Sequence, residues 1–130
     1  QHIRDVEKAL ASVDGLYDAL QVGNLDTAKL HLRSLHDLLT NCKTNMFINY
    51  DAELTNRISA GASVSIQTVD DCREFCRMTK EAEMDNHIKD IGRIMMEIGT
   101  VSTRKKAKSI SEGMEFASEV RQLLREIQYP

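Results

Sequence analysis

The residues of this chain best suited to chemistry are three cysteines, four histidines and several groups of carboxylates. Their spacing decides whether they act together. Cys72 and Cys76 stand four apart and so share one face of a helix. Zinc takes four ligands, usually from paired Cys-x2-Cys or Cys–His knuckles. Here the spacing is Cys-x3-Cys with no second pair at a matching interval, so both cysteines are read as core residues. A di-iron bundle needs Glu-x-x-His motifs on two helices. The residues three before His31, His36 and His87 are Ala28, Arg33 and Met84, none acidic; Glu83 lies four before His87 and does not make that motif. Asp70, Asp71 and Glu74, or Glu112 and Glu115, would suit a magnesium-dependent phosphohydrolase only if two such clusters faced each other, and the first acids fit a helix start better. No cofactor or metal is implied, and the chain is not expected to be an enzyme.

His31 and His36 lie five apart, about 140° around a helix. A histidine phosphotransfer domain is also a four-helix bundle with an exposed histidine, and that signalling function is the first alternative. Its motif places Lys and Gly shortly after the histidine, whereas Leu32-Arg33-Ser34 follow His31 and Asp37-Leu38-Leu39 follow His36. The likeness is one of architecture, which does not imply function. Arg104, Lys105, Lys106 and Lys108 form the one charge run, a possible anion contact, and make a nucleic-acid-associated regulator the second alternative. Against it, 17 basic and 20 acidic residues leave a net charge of −3, without the basic excess that phosphate contacts require. The run is read as a solvated connector. Phosphate loops, dinucleotide fingerprints and nucleophile elbows are missing.

The elements that position these residues are helices. Apolar residues are 42% and charged residues 28%, the balance of a folded domain, and the single proline is Pro130, so nothing inside forbids long helices. Ile3, Val6, Leu10, Val13, Tyr17 and Leu20 recur in steps of three and four, a seam along a first helix. Gly23 and Asn24 supply a stop and a new N-cap. Ala28, Leu32, Leu35, Leu39, Cys42 and Met46 continue the pattern, and the steps then become fours at Tyr50, Leu54 and Ile58. The spacing predicts one helix from Leu25 to Ser59, with Asn45 and Asn49 as weak points where it could break.

Residues 59–67 are small and polar and read as a loop, with a short extended piece allowed at Val64 and Ile66. Thr68 and Asp71 have capping-box spacing. A third helix then carries Val69, Cys72, Cys76, Met84, Ile88, Ile91, Met95 and Ile98 as far as Gly99, with Asp85 and Lys89 placed to pair at i,i+4. A fourth, beginning near Ser102 or at the capping box Ser109–Glu112, carries Ile110, Met114, Ala117, Val120, Leu124 and Ile127. The expected fold is all-α: residues 1–130 as a single domain, an antiparallel four-helix bundle with a long central helical hairpin.

No apolar run approaches the roughly 18 residues needed to cross a bilayer. The opening Gln1-His2-Ile3-Arg4-Asp5 is not a targeting peptide and reads as chain entered mid-sequence or after processing. Three cysteines, an odd number without framework spacing, fit a reducing, cytoplasmic setting. The leading functional expectation is a non-enzymatic protein–protein interaction module: an adaptor, an assembly subunit, or a regulatory or chaperone-like binder. Its expected surface is the hairpin tip, where Met46, Phe47, Tyr50, Leu54, Ile58, Phe75 and Met78 place more apolar area than a monomer leaves in water. A second copy covering that patch predicts a homodimer.

Overall fold

A computed structural model describes residues 2–61, 65–100 and 103–129, with the side chains at 2, 3, 66, 99, 100 and 103–107 left out. It consists of four helices packed against each other: α1 His2–Gln21, α2 Leu25–Gly61, α3 Ile66–Thr100 and α4 Thr103–Gln128. Among the described residues there is no strand, and no helix is long and apolar enough to cross a membrane.

The first turn forms as its residue types require. Asn24 N–H donates to the Ala19 carbonyl at 2.8 Å and Gly23 N–H to that of Leu20 at 3.1 Å, closing α1 in a Schellman motif. Gly23 has φ +78°, where a side chain is strained, and Asn24 Oδ1 accepts from Thr27 N–H at 3.2 Å to cap α2. The next start differs from expectation. Ser65, not Thr68, is the cap of α3: its hydroxyl accepts from Thr68 N–H at 3.3 Å and bonds the Thr68 hydroxyl at 2.9 Å. Ile66 is therefore helical rather than extended, and Asp70 and Asp71 fall beyond the first turn. Val64 lies outside the described residues. α4 takes the earlier of its two starts, so Ser109 sits buried within the helix and the run Arg104–Lys108 forms helical turns rather than a connector.

The helices run alternately up and down in the order α1, α2, α3, α4 around the bundle. α1 packs on α2 and α4, α3 packs on α2 and α4, α2 reaches α4 across the diagonal, and α1 and α3 do not meet among the described residues. Cross-helix pairs set the antiparallel register: Ser12 with Ser34 at 3.3 Å, Arg121 with Asp14 at 2.6 Å, Lys43 with Asp85 at 2.6 Å, and Lys80 with Glu126. Asp85 thus bridges to α2 and not to Lys89, because the α2 lysine reaches it across the interface.

Gripped on two sides, α1 buries a wider face than its sequence seam implies. Val6, Ala9, Val13, Leu16 and Leu20 are buried, while Leu10 and Tyr17 pack at the edge. Ala28, Leu32, Leu35 and Leu39 of α2, Met84, Ile91, Ile94 and Ile98 of α3, and Phe116, Ala117, Val120, Leu123, Leu124 and Ile127 of α4 complete one core. Gly15 lets α2 approach closely, since a Cβ there would come within 2.5 Å of the His31 ring.

α2 is continuous through Asn45 and Asn49. With 37 and 35 residues against 20 and 26, α2 and α3 outrun α1 and α4 at one end only. α1 begins level with Cys42, near Asp5, and α4 ends level with Lys80, so the surplus projects as a two-helix hairpin of roughly 20 Å.

Candidate functional site

Two regions hold the side chains that the core does not use: the projecting hairpin and the cleft between α3 and α4. In the hairpin each helix has a single neighbour and so buries a single stripe. α2 turns its stripe toward α3 by stepping in fours, since each such step advances about 40° around the helix. Tyr50, Leu54 and Ile58 follow that path, with Val69 and Cys76 buried or half-buried on α3.

A polar layer interrupts the seam. Asp51 Oδ2 lies 3.4 Å from Arg77 Nε and 3.8 Å from Arg73 Nη1. Arg77 also donates to Glu81 at 2.8 Å, and Arg73 lies 3.6 Å from Asp70. Asp51 Oδ1 and Arg73 Nε have no hydrogen-bond partner among the described residues. Burial pushes the Asp51 carboxyl above its ordinary range, with Arg77 and then Arg73 opposing. Glu81, bonded to Arg77, holds that guanidinium protonated. Neighbouring strips of hydrocarbon with charges between them make a pairing less stable than a fully apolar one and more particular about register.

The seven residues expected at one interaction patch are not brought together. Met46, Phe47 and Tyr50 are fully or almost fully buried in the chain's own core, Phe47 and Tyr50 edge to face at 5.8 Å between centroids. The ends of α1 and α4 reach the level of this turn of α2, so the apolar side chains there are covered without a second copy. Leu54 and Ile58 are half-buried against α3. Phe75 and Met78 alone stand open, 73% and 58% exposed, on the side of α3 turned away from the seam, with exposed Cys72 one turn before. Cys72 is therefore not a core residue, because its position faces outward from the stripe that Val69 and Cys76 follow; Cys76 is half-buried.

The cleft opens where α3 and α4 pack least closely. Its main part has a volume of about 680 Å³ and runs on into a smaller part of about 250 Å³ through the shared residues Glu115 and Glu119. α4 lines it with Glu112, Glu115, Glu119, Gln122 and Glu126, in steps of three and four that keep one face; α3 supplies Glu83, His87 and Asp90. Like charges on the two faces repel each other across the cleft. The side chain of His87 is only 10% exposed, and its ring meets Phe116 edge to face at 5.7 Å between centroids. Its Nδ1 makes no hydrogen bond among the described residues, and Asp90 Oδ2 is 4.0 Å away. Lys80 bonds Glu126, and with Gln122 this holds the Glu126 carboxyl below its ordinary range.

Sequence reasoning tested His87 only as a metal ligand. Its place in the series Met84, His87, Ile91, Ile94, Ile98 is the signal that puts it in the core stripe. Arg73 and Arg77 are readable the same way, four and eight residues after Val69. The other histidines are less distinctive. His31 packs over Gly15, and His36 is half-exposed with Nδ1 3.8 Å from Asp37 Oδ1. Of the basic run, Lys108 is exposed and 4.0 Å from Glu112; the side chains of Arg104, Lys105 and Lys106 lie outside the described residues. Comparison of the chain with protein-family models, with curated proteins and with solved structures finds no match.

Proposed function

We propose that this protein is a non-enzymatic interaction module, an adaptor or regulatory binder, that works through helix faces and uses the α2–α3 hairpin as its docking element in the cytoplasm. The observation that carries this reading is the hairpin itself: two helices extended past the bundle, with Phe75 and Met78 left in water on its outer side. A two-helix unit buries one stripe per helix and is marginal alone, so a projection of this length gains from a partner that covers its outer face. The partner we propose is a second copy of the chain, arranged about a two-fold axis so that the same face serves both protomers.

Light scattering after size exclusion tests the dimer, which has twice the 14.7 kDa mass of the chain. The substitution pair Phe75→Glu and Met78→Glu dissociates it and leaves helicity intact, since both side chains are exposed. Phe47 and Tyr50 do not serve for this test, because glutamate at either buried position unfolds the body. A monomer at micromolar concentration, or a dimer indifferent to the Phe75 and Met78 changes, removes self-association from the proposal. Failure of the hairpin to bind any protein from the native source then removes the module itself.

A further inference from the structure

We propose that the acidic cleft between α3 and α4 binds a lysine- or arginine-bearing segment of a partner protein, with a cationic group seated beside His87. This site is separate from the hairpin face. Glu112, Glu115, Glu119 and Glu126 form a straight row along α4, and Glu83 and Asp90 face them from α3. Cations belong to the ends of the cleft: Lys80 is held by Glu126, and Arg93 by Asp90 and Glu97. Between those ends, Glu83, Glu115 and Glu119 have no ion-pair partner among the described residues. A stretch of wall therefore carries negative charge that nothing among the described residues neutralises.

His87 is the second and independent observation. Its side chain is nine-tenths buried, lines the cleft, and holds Nδ1, unpartnered among the described residues, 4.0 Å from Asp90 Oδ2. That separation is too long for a hydrogen bond between the two, and one donor inserted at about 2.9 Å from each closes it. With the ring proton on Nε2, Nδ1 accepts as the carboxylate does, so a guest between them donates, and an ammonium or guanidinium group brings the charge as well.

The same geometry selects the class of cation. Among the described residues no three His, Cys, Asp or Glu converge as metal ligands do. The acids are instead strung over about 21 Å from Glu112 to Glu126, at 1.5 Å per residue. The cleft is open along its length, and Phe116 and Leu123 give its floor an apolar strip for the methylene stems of basic side chains. An open, elongated trough with spaced charges suits a chain passing through it better than a compact ion.

The probe is a fluorescently labelled decalysine peptide added to the full chain. Its anisotropy rises on binding at low salt, and binding weakens steeply as salt is added. Glu115→Gln with Glu119→Gln, both exposed and safe for folding, weakens it at least tenfold. Glu7→Gln with Glu53→Gln, exposed acids on α1 and α2, changes it less than twofold. The His87 ring resonances shift on peptide addition in the native protein and stay still in the Glu115/Glu119 variant. Phe75→Glu with Met78→Glu leaves peptide binding unchanged, which separates this site from the hairpin reading. No binding at low salt, or equal weakening by the Glu7/Glu53 control, overturns the proposal. Spermine displacing the peptide at equal charge overturns the protein segment as the guest.

Discussion

The body of the bundle and the hairpin that leaves it are built from the same two helices on opposite principles. In the body, α2 and α3 each touch two or more neighbours, bury leucine, isoleucine and methionine in alternating steps of three and four, and leave few polar atoms inside. Beyond Tyr50 each has only the other. The stripe narrows, its steps lengthen to four, and Asp51, Arg73 and Arg77 enter the seam. The contrast teaches that helix length and helix stability come from different sources in this chain. Continuity through Asn49 is a local property, while the free energy that holds each turn in place depends on how many helices surround it.

The largest expected difference follows from that contrast. Leu35 is fully buried among four helices, and Leu35→Ala should cost about 2–5 kcal/mol through lost transfer energy and a residual cavity. Ile58 is half-buried against one helix, so Ile58→Ala should cost less than about 1.5 kcal/mol. Thermal or urea unfolding of the two variants compares them directly. Equal losses would mean that the hairpin is as firmly held as the body.

Acid separates the two regions with opposite signs. The Glu126 carboxyl, bonded by Lys80, lies below its ordinary value of 4.5. Its contribution is present above that value and is lost as pH falls through the lowered one. Burial places Asp51 above its ordinary value of 3.8. Its contribution is fully present below 3.8 and is lost as pH rises through the raised value, so acidification relieves the hairpin seam. Both side chains are partly exposed, which keeps the effects below that of Leu35→Ala. Hydrogen exchange read between about pH 5 and pH 3 should show the last turns of α4 loosening while residues 50–58 gain protection relative to them. Loosening of the hairpin first would reverse the assignment.

The smallest expected effect is at Cys72. It faces water on the outer side of the hairpin, so Cys72→Ser should change stability by no more than about 0.5 kcal/mol. A brief pulse of maleimide followed by mass spectrometry should label Cys72 ahead of Cys76 and Cys42, both half-buried. The Cys42 thiol is also pushed up by burial and by Asp5, which lowers its thiolate fraction. Labelling of Cys76 as fast as Cys72 would show that the hairpin opens readily in solution.

Much of the fold was legible in residue order. Helix number, the stop at Gly23, the cap at Asn24 and the unequal lengths all follow from spacing and from residue types with known backbone preferences. The misjudged start at Ser65 and the undecided one at Thr103 have a common cause. Several serines and threonines stand near each boundary, any of which is chemically fit to cap, and tertiary packing chooses among them. The candidate surfaces were less legible. Phe75 and Met78 were identified, but the cleft around His87 was not, because its two walls lie about thirty residues apart in the chain and neither stretch is unusual alone.

Periodicity and turn chemistry are relations among residues within a few positions of each other, and they sufficed for four helices and for a long second one. The widening of the α1 face to Ala9 and Leu16, the covering of Met46, Phe47 and Tyr50 by the chain's own core, the outward turn of Cys72 and the splay of two acidic helix faces were decided by packing alone. A stripe on a helix states that something must cover it. Which residue is covered, and by what, depends on where the other helices begin and end.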